Sequence, residues 1–149
     1  DFVWSGTVKT GSTRRMIWVG KKDGPPESLF PHKERLISRG IRSFDESNWW
    51  QWGRGYPITE APRAYVNGKT RQSQPFFLHE CNNFDGAILA VFPHDKSIDM
   101  KEFCDALNSV EWDQLGFVCD GRFLFSQRSL ENAPLPELFQ RFLPKTVVD

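Results

Sequence analysis

The chain has 149 residues, 39% of them hydrophobic and 26% charged, which is enough apolar material for one core and argues against a disordered segment. Its net charge is zero, yet residues 1–71 carry 13 Lys and Arg against 7 Asp and Glu while the remainder carries 6 against 12, so one basic half is available for an acidic partner. No apolar run approaches the ~18 residues of a membrane span. Cys81, Cys104 and Cys119, odd in number and without CxxC spacing, argue against a disulfide framework or a paired-ligand zinc site and fit reduced thiols in a cytoplasmic protein.

The chain opens on Asp1 in the strand-like Asp-Phe-Val-Trp, as expected of a piece of a longer protein. Short strands are expected over 14–20, 62–68, 75–80 and 86–93, where β-branched and aromatic residues are bounded by Gly, Pro and polar residues. Residues 21–28, Lys-Lys-Asp-Gly-Pro-Pro-Glu-Ser, read as a turn-forming segment, and Asn67-Gly68 reads as a hairpin or tight turn. Residues 99–110 predict the main helix. Asp99 can cap it with Glu102 three residues on, and Met100, Phe103, Cys104, Leu107 and Val110 repeat along one face. Residues 116–126 read as two strands around an Asp120-Gly121 turn, and a short helix is expected from about Glu137. The sum is a sheet-dominated α+β fold, a single domain over 1–149.

Between the first and second of the expected strands lies Arg-Gly-Ile-Arg-Ser-Phe-Asp-Glu-Ser-Asn-Trp-Trp-Gln-Trp-Gly-Arg-Gly, residues 39–55. Trp49, Trp50 and Trp52 can serve as core residues that fasten a long loop, as stacking surfaces for bases, or as a carbohydrate platform. On an extended segment Trp50 and Trp52 would share one side and Trp49 and Gln51 the other. The guanidinium groups of Arg39, Arg42 and Arg54, with Gly40, Gly53 and Gly55 beside them, favour a nucleic acid over a sugar. Asn48 and Gln51 add amide groups, and residues 67–75, a second loop that opens on Asn67, supply Lys69, Arg71, Gln72 and Gln74. Arg reads guanine and Asn or Gln reads adenine in the major groove, so these nine side chains are the candidate DNA contacts, with Lys69 expected on phosphate. GxxxxGK[ST], GxGxxG, HExxH and GxSxG are all missing, so neither catalytic nor metal-binding residues are expected in this chain, and His79 with Cys81 is too small a ligand set for a metal.

The stretch from Gly86 to Phe139, with Leu107-Asn108-Ser109, Gly-Arg-Phe-Leu-Phe-Ser at 121–126 and Pro-Leu-Pro at 134–136, resembles the closing unit of target-recognition domains. These belong to bacterial restriction-modification adenine-specific DNA methyltransferases and to type I specificity subunits. Phe2-Val3-Trp4 and Ile17-Trp18 resemble the stretch that follows the catalytic domain in such methyltransferases. The resemblance implies sequence-specific recognition of double-stranded DNA by this chain, with no cofactor of its own. It also implies a partner catalytic domain in the same protein that binds S-adenosylmethionine and receives the flipped adenine. The Asn/Asp-Pro-Pro-aromatic motif of that catalytic half does not occur here, where Pro25-Pro26 is followed by Glu27. A single-stranded DNA or RNA-binding module, and an interaction domain for an acidic protein or a carbohydrate, are the alternatives.

Overall fold

Ala64-Tyr65-Val66-Asn67 is the most deeply buried run among the described residues, with the aromatic Tyr65 and the β-branched Val66 at its centre, as suits the middle strand of a sheet. In the computed structural model, which describes residues 1–17, 19, 23–40, 44–52 and 59–143, the molecule is α+β. The chain divides into two compact units, one formed by Asp1–Arg15 together with Thr59–Asp149 and the other by Met16–Ile58.

The larger unit holds two small sheets. Strand β1 (Ala64–Asn67) lies between β3 (Phe76–Phe77) and β4 (Ile88–Val91), antiparallel to both, with Tyr65 opposite Phe77 and Ala90. In the second sheet β6 (Arg122–Leu124) lies between β2 (Lys69–Thr70) and β5 (Val118–Cys119). Asn67-Gly68 is not the hairpin that the dipeptide predicts. Strands β1 and β2 belong to different sheets, and Gly68 is the step between them. Its N–H donates to Ala87 O at 2.9 Å and its carbonyl accepts from Phe125 N at 2.9 Å. A Cβ on Gly68 would sit 3.4 Å from the carbonyl oxygens of Ala87 and Phe125, at ordinary van der Waals contact. Asp120-Gly121, by contrast, is a two-residue hairpin loop, with φ of 51° and 67° as a type I′ turn demands.

Alternation along β1 sends Ala64 and Val66 to one face and Tyr65 to the other. The first face packs with Phe76, Phe103, Leu107, Trp112 and Phe125 into the main core, and Tyr65 packs with Val3 and Ile88 into a second one. Helix α3 (Met100–Asn108) covers the first face with the apolar stripe expected of it. Asp99 caps α3 through Oδ1, which accepts from Lys101 N and Glu102 N, but the expected return bond from Glu102 does not form. Glu102 instead meets Arg141 at 2.9 Å, on the closing 3-10 helix Glu137–Phe142. There Phe139 and Phe142 meet Phe103 edge-on, with centroids 6.4 and 5.2 Å away. Asn108, at the end of α3, accepts from Phe76 N and donates to Phe76 O, both at 2.9 Å, and so closes the outer edge of β3 as a neighbouring strand would.

Three short helices have no expectation behind them: α1 (Thr7–Thr10), α2 (Lys33–Ile37), which continues a 3-10 turn over Glu27–His32, and α4 (Gln127–Glu131), whose capping box pairs Ser126 with Ser129. The strand expected over 14–20 is reduced to one bridge between Phe2 and Arg14; Met16, Ile17 and Val19 lie beyond the unit boundary and outside any strand. Parallel pairing of Val3 with Phe84, and donation from Asn67 Nδ2 to Ser5 O at 2.9 Å, fasten the opening residues to β1 and its surroundings.

Met16–Ile58 is organised around Trp49, which is 2% exposed and meets Phe30 and Trp50 edge-on at 5.4 and 5.8 Å. Asp45 Oδ1 accepts from the backbone and hydroxyl of Ser47, and Asp45 O accepts from Asn48 N and Trp49 N, so the tryptophans leave a turn rather than an extended segment. The expected two-sided alternation is thereby lost. Trp49 is buried, Trp50 is half-buried with its indole N–H on Asp23 O, and Trp52 is 48% exposed with its N–H on Ile17 O.

Candidate functional site

In the larger unit four cations, Lys9, Lys69, Arg71 and Arg122, line a groove of about 560 Å³. Lys69 enters it from β2, and Arg71 and Gln72 from the two positions that follow. Arg122 belongs to β6, Lys9 to α1, and Asn67 is the last residue of β1. The local geometry follows from strand pairing. Lys69 pairs with Leu124 and Thr70 with Phe123, so one further step of the same register brings Arg71 level with Arg122. Burial of Thr70 and donation from Gln72 N to its Oγ1 fix the turn that leaves β2, which directs the chain past the groove. Lys9 arrives because Asn67 ties Ser5 down four residues earlier.

No carboxylate lines this groove, and Lys9, Lys69, Arg71 and Arg122 form no ion pair among the described residues. Like charges so placed repel by ~1 kcal/mol or less per pair in water, and an anion between them relieves that repulsion. Lys69 and Arg71 are exposed and Gln72 is half-buried, so their donors are accessible. Gln74 is exposed in the following loop and does not line the groove.

The remaining candidates belong to Met16–Ile58. Arg42 and Arg54 lie outside the described residues. Arg39 is occupied within its own unit: Nε donates to Leu36 O at 2.7 Å, Nη2 donates to Trp49 O at 2.7 Å and Gln51 O at 3.1 Å, and the guanidinium lies 3.7 Å over the Phe44 ring. Burial lowers its pKa, though a guanidinium keeps its proton throughout the working range. Asn48 spends its Oδ1 on Asp45 N at 2.9 Å. Gln51 lines an apolar slot of about 210 Å³ with Ile17, Leu36, Trp50 and Trp52.

Asn67 opens the loop that the sequence already singles out, whereas sequence reasoning passes over Lys9 and Arg122 as members of a shared site. Lys9 sits in a helix of one turn, and Arg122 follows a hairpin that reads as structural; only the long-range pairing of β2 with β6 discloses their common location. His79, raised with Cys81 as a minimal ligand pair, is a loop staple: its Nδ1 accepts from Cys81 N at 3.0 Å and its Nε2 lies 3.2 Å from Gly11 O. Among the described residues no group of three or more metal-ligating side chains forms, and no helix is long and apolar enough to cross a membrane. No family model, no curated protein and no solved structure matches this chain.

Proposed function

We propose that this chain binds double-stranded DNA in the cytoplasm, as the target-recognition part of an adenine-specific DNA methyltransferase of a restriction-modification system. The observation that carries the binding step is the groove in which Lys9, Lys69, Arg71 and Arg122 converge with no carboxylate among its lining residues. Lysine as a compact charge suits phosphate, whereas Arg71 and Gln72 have the donor and acceptor geometry for base edges. The resemblance of Gly86–Phe139 and of Phe2-Val3-Trp4 to such recognition domains supplies the biological setting. In that setting a catalytic domain holding S-adenosylmethionine is the partner, and this chain contributes no reacting group.

Anisotropy titrations with labelled duplexes over a range of salt concentrations test the reading. Each phosphate neutralised contributes about 0.9 to the slope of log K against log salt. Lys69→Ala should lower that slope by about 1 and weaken all sequences alike. Arg71→Ala, if the guanidinium reads a base, should cost about 1–3 kcal/mol on the preferred sequence and less on random duplex. Salt-independent binding, or binding that neither substitution alters, refutes the assignment. Competition by single strands addresses the runner-up, which the half-exposed ring of Trp52 favours as a stacking surface.

A further inference from the structure

Strand β4 is an outer strand of its sheet, and the bonding of β1 and β3 decides which of its backbone groups face outward. Phe76 spends its N–H and its carbonyl on Asn108, so Phe77 is the residue of β3 that exchanges bonds with Tyr65. Alternation then turns the backbone groups of Ala64 and Val66 towards Val91 and Leu89, and donation from Gly68 N to Ala87 O continues the same phase. Ile88 and Ala90 are left facing away from β1, and Phe92, kept extended by Pro93, follows in step. Ile88 N donates to Asp85 O at 3.2 Å, whereas Ile88 O, Ala90 N, Ala90 O and Phe92 N have no hydrogen-bond partner among the described residues. Every residue from Ile88 to Phe92 lines one groove of about 620 Å³. Leu89 and Val91 belong to the face of the main core and Ile88 and Ala90 to the face of Tyr65, so a groove that touches all of them runs along the open edge.

The two edges of this sheet are treated differently. Asn108 closes the edge at β3, whereas residues 86–92, Gly-Ala-Ile-Leu-Ala-Val-Phe, contain neither charge nor proline, the usual devices that keep an open edge from pairing. We propose that β4 pairs antiparallel with β4 of a second copy of this chain, about a two-fold axis through Ala90, and so joins two three-stranded sheets into one of six. Each Ala90 exchanges N–H···O bonds with the other, and each Phe92 N donates to Ile88 O of the other copy, so the two free donors and two free acceptors of each edge are all used. The ladder ends at these four bonds, because the next donor, Ile88 N, is held by Asp85. On the Tyr65 face the small side chain of Ala90 lies at the axis, and Phe92, 43% exposed, comes opposite Ile88 of the second copy. An incoming strand for this edge has to be extended, apolar and matched to it group for group, and β4 itself meets all three demands. The interface shares no lining residue with the cationic groove and so does not depend on what that groove binds.

Sedimentation of the whole chain without DNA, from micromolar to near-millimolar concentration, should show the mass rising towards twice that of the monomer, as a small and therefore weak interface requires. Amide exchange over the same range locates the contact. The N–H groups of Ala90 and Phe92 should slow with concentration, roughly tenfold where a tenth of the chain remains monomeric, because only the monomer exposes them. Those of Leu89 and Val91, bonded to β1, should be slow throughout. Ala90→Pro removes a donor that no bond within the monomer uses, at an edge position that tolerates proline, and should hold the chain at the monomer mass. The exchange measurement is made on the unaltered chain, so it decides the matter even where that substitution weakens the fold. A chain that stays monomeric at every concentration overturns the inference, whatever other strand the edge accepts. So does a dimer in which Ala90 and Phe92 exchange as fast as in the monomer, since it forms through another face.

Discussion

Arg39 sits in a segment whose charge suggests a ligand, yet its guanidinium bonds Leu36, Trp49 and Gln51 through their carbonyls. A planar fork can reach several carbonyls at once, whereas an ammonium on a flexible stem cannot hold the same geometry. Arg39→Ala is accordingly expected to destabilise Met16–Ile58 by about 2 kcal/mol or more, seen as a lower denaturant midpoint for tryptophan fluorescence, and Arg39→Lys should not restore it. Cys104 makes a different kind of prediction. Burial in the core pushes its thiol up to about 11 from an ordinary 9.0. Between those values the unfolded chain gives up a proton that the folded chain keeps, so stability falls as pH rises across that window and levels off above it. Cys104→Ala should remove this part of the decline when melting temperatures of the two proteins are compared from pH 9 to 11. At neutral pH a thiol reagent should label exposed Cys119 first and Cys104 only on unfolding.

Elements differ in how much of them is written locally. The period of Met100, Phe103, Cys104 and Leu107, with Asp99 before it, suffices to place α3, and the left-handed pair Asp120-Gly121 suffices to place its hairpin. Phe103→Ala should cost about 3–5 kcal/mol in chemical denaturation, because the ring meets both Phe139 and Phe142 as well as the sheet. An unchanged midpoint would show that α3 does not carry the core. Asn67-Gly68 has the same local chemistry as a hairpin turn and a different outcome. What separates them is the competition of Ala87 and Phe125 for the backbone groups of Gly68, and neither lies near it in sequence. The short helices α1, α2 and α4 escape notice for a related reason: at one turn or little more, they are held by their surroundings rather than by propensity. Of the candidate contacts, Lys69, Arg71 and Gln72 are adjacent in sequence and therefore legible as a set. Lys9 and Arg122 reach the same groove only through pairings across most of the chain.

At the scale of the whole molecule, the groove exists only when α1, β1, β2 and β6 are all in place, so anything that binds it favours the folded larger unit by mass action. Saturating duplex DNA at about a hundred times its dissociation constant should add about 2.7 kcal/mol of stability, measured as a rise in melting temperature, and Lys69→Ala should diminish that rise at the same DNA concentration. No methyl group should pass from S-adenosylmethionine to DNA in the presence of this chain alone, which a radiolabel assay reads directly. Incorporation would contradict the division of labour proposed for it.

Arg15 and Thr59 belong to one unit while everything between them belongs to the other, so the smaller unit is an excursion from a host whose own continuity is spatial rather than sequential. For the host, those intervening residues are a closed loop, and the entropy of closing a loop rises only with the logarithm of its length, about 0.6 kcal/mol per doubling. The host is therefore nearly indifferent to how long the excursion is. Replacing residues 16–58 by a short Gly-Ser connection should leave the pairing of Val3 with Phe84 and the burial of Trp112 intact, as judged by Trp112 fluorescence and amide exchange across β1. It also follows that excursions of quite different length and composition can be carried at this point for a small and predictable change in free energy, which is the thermodynamic condition for a segment to vary while its host stays the same.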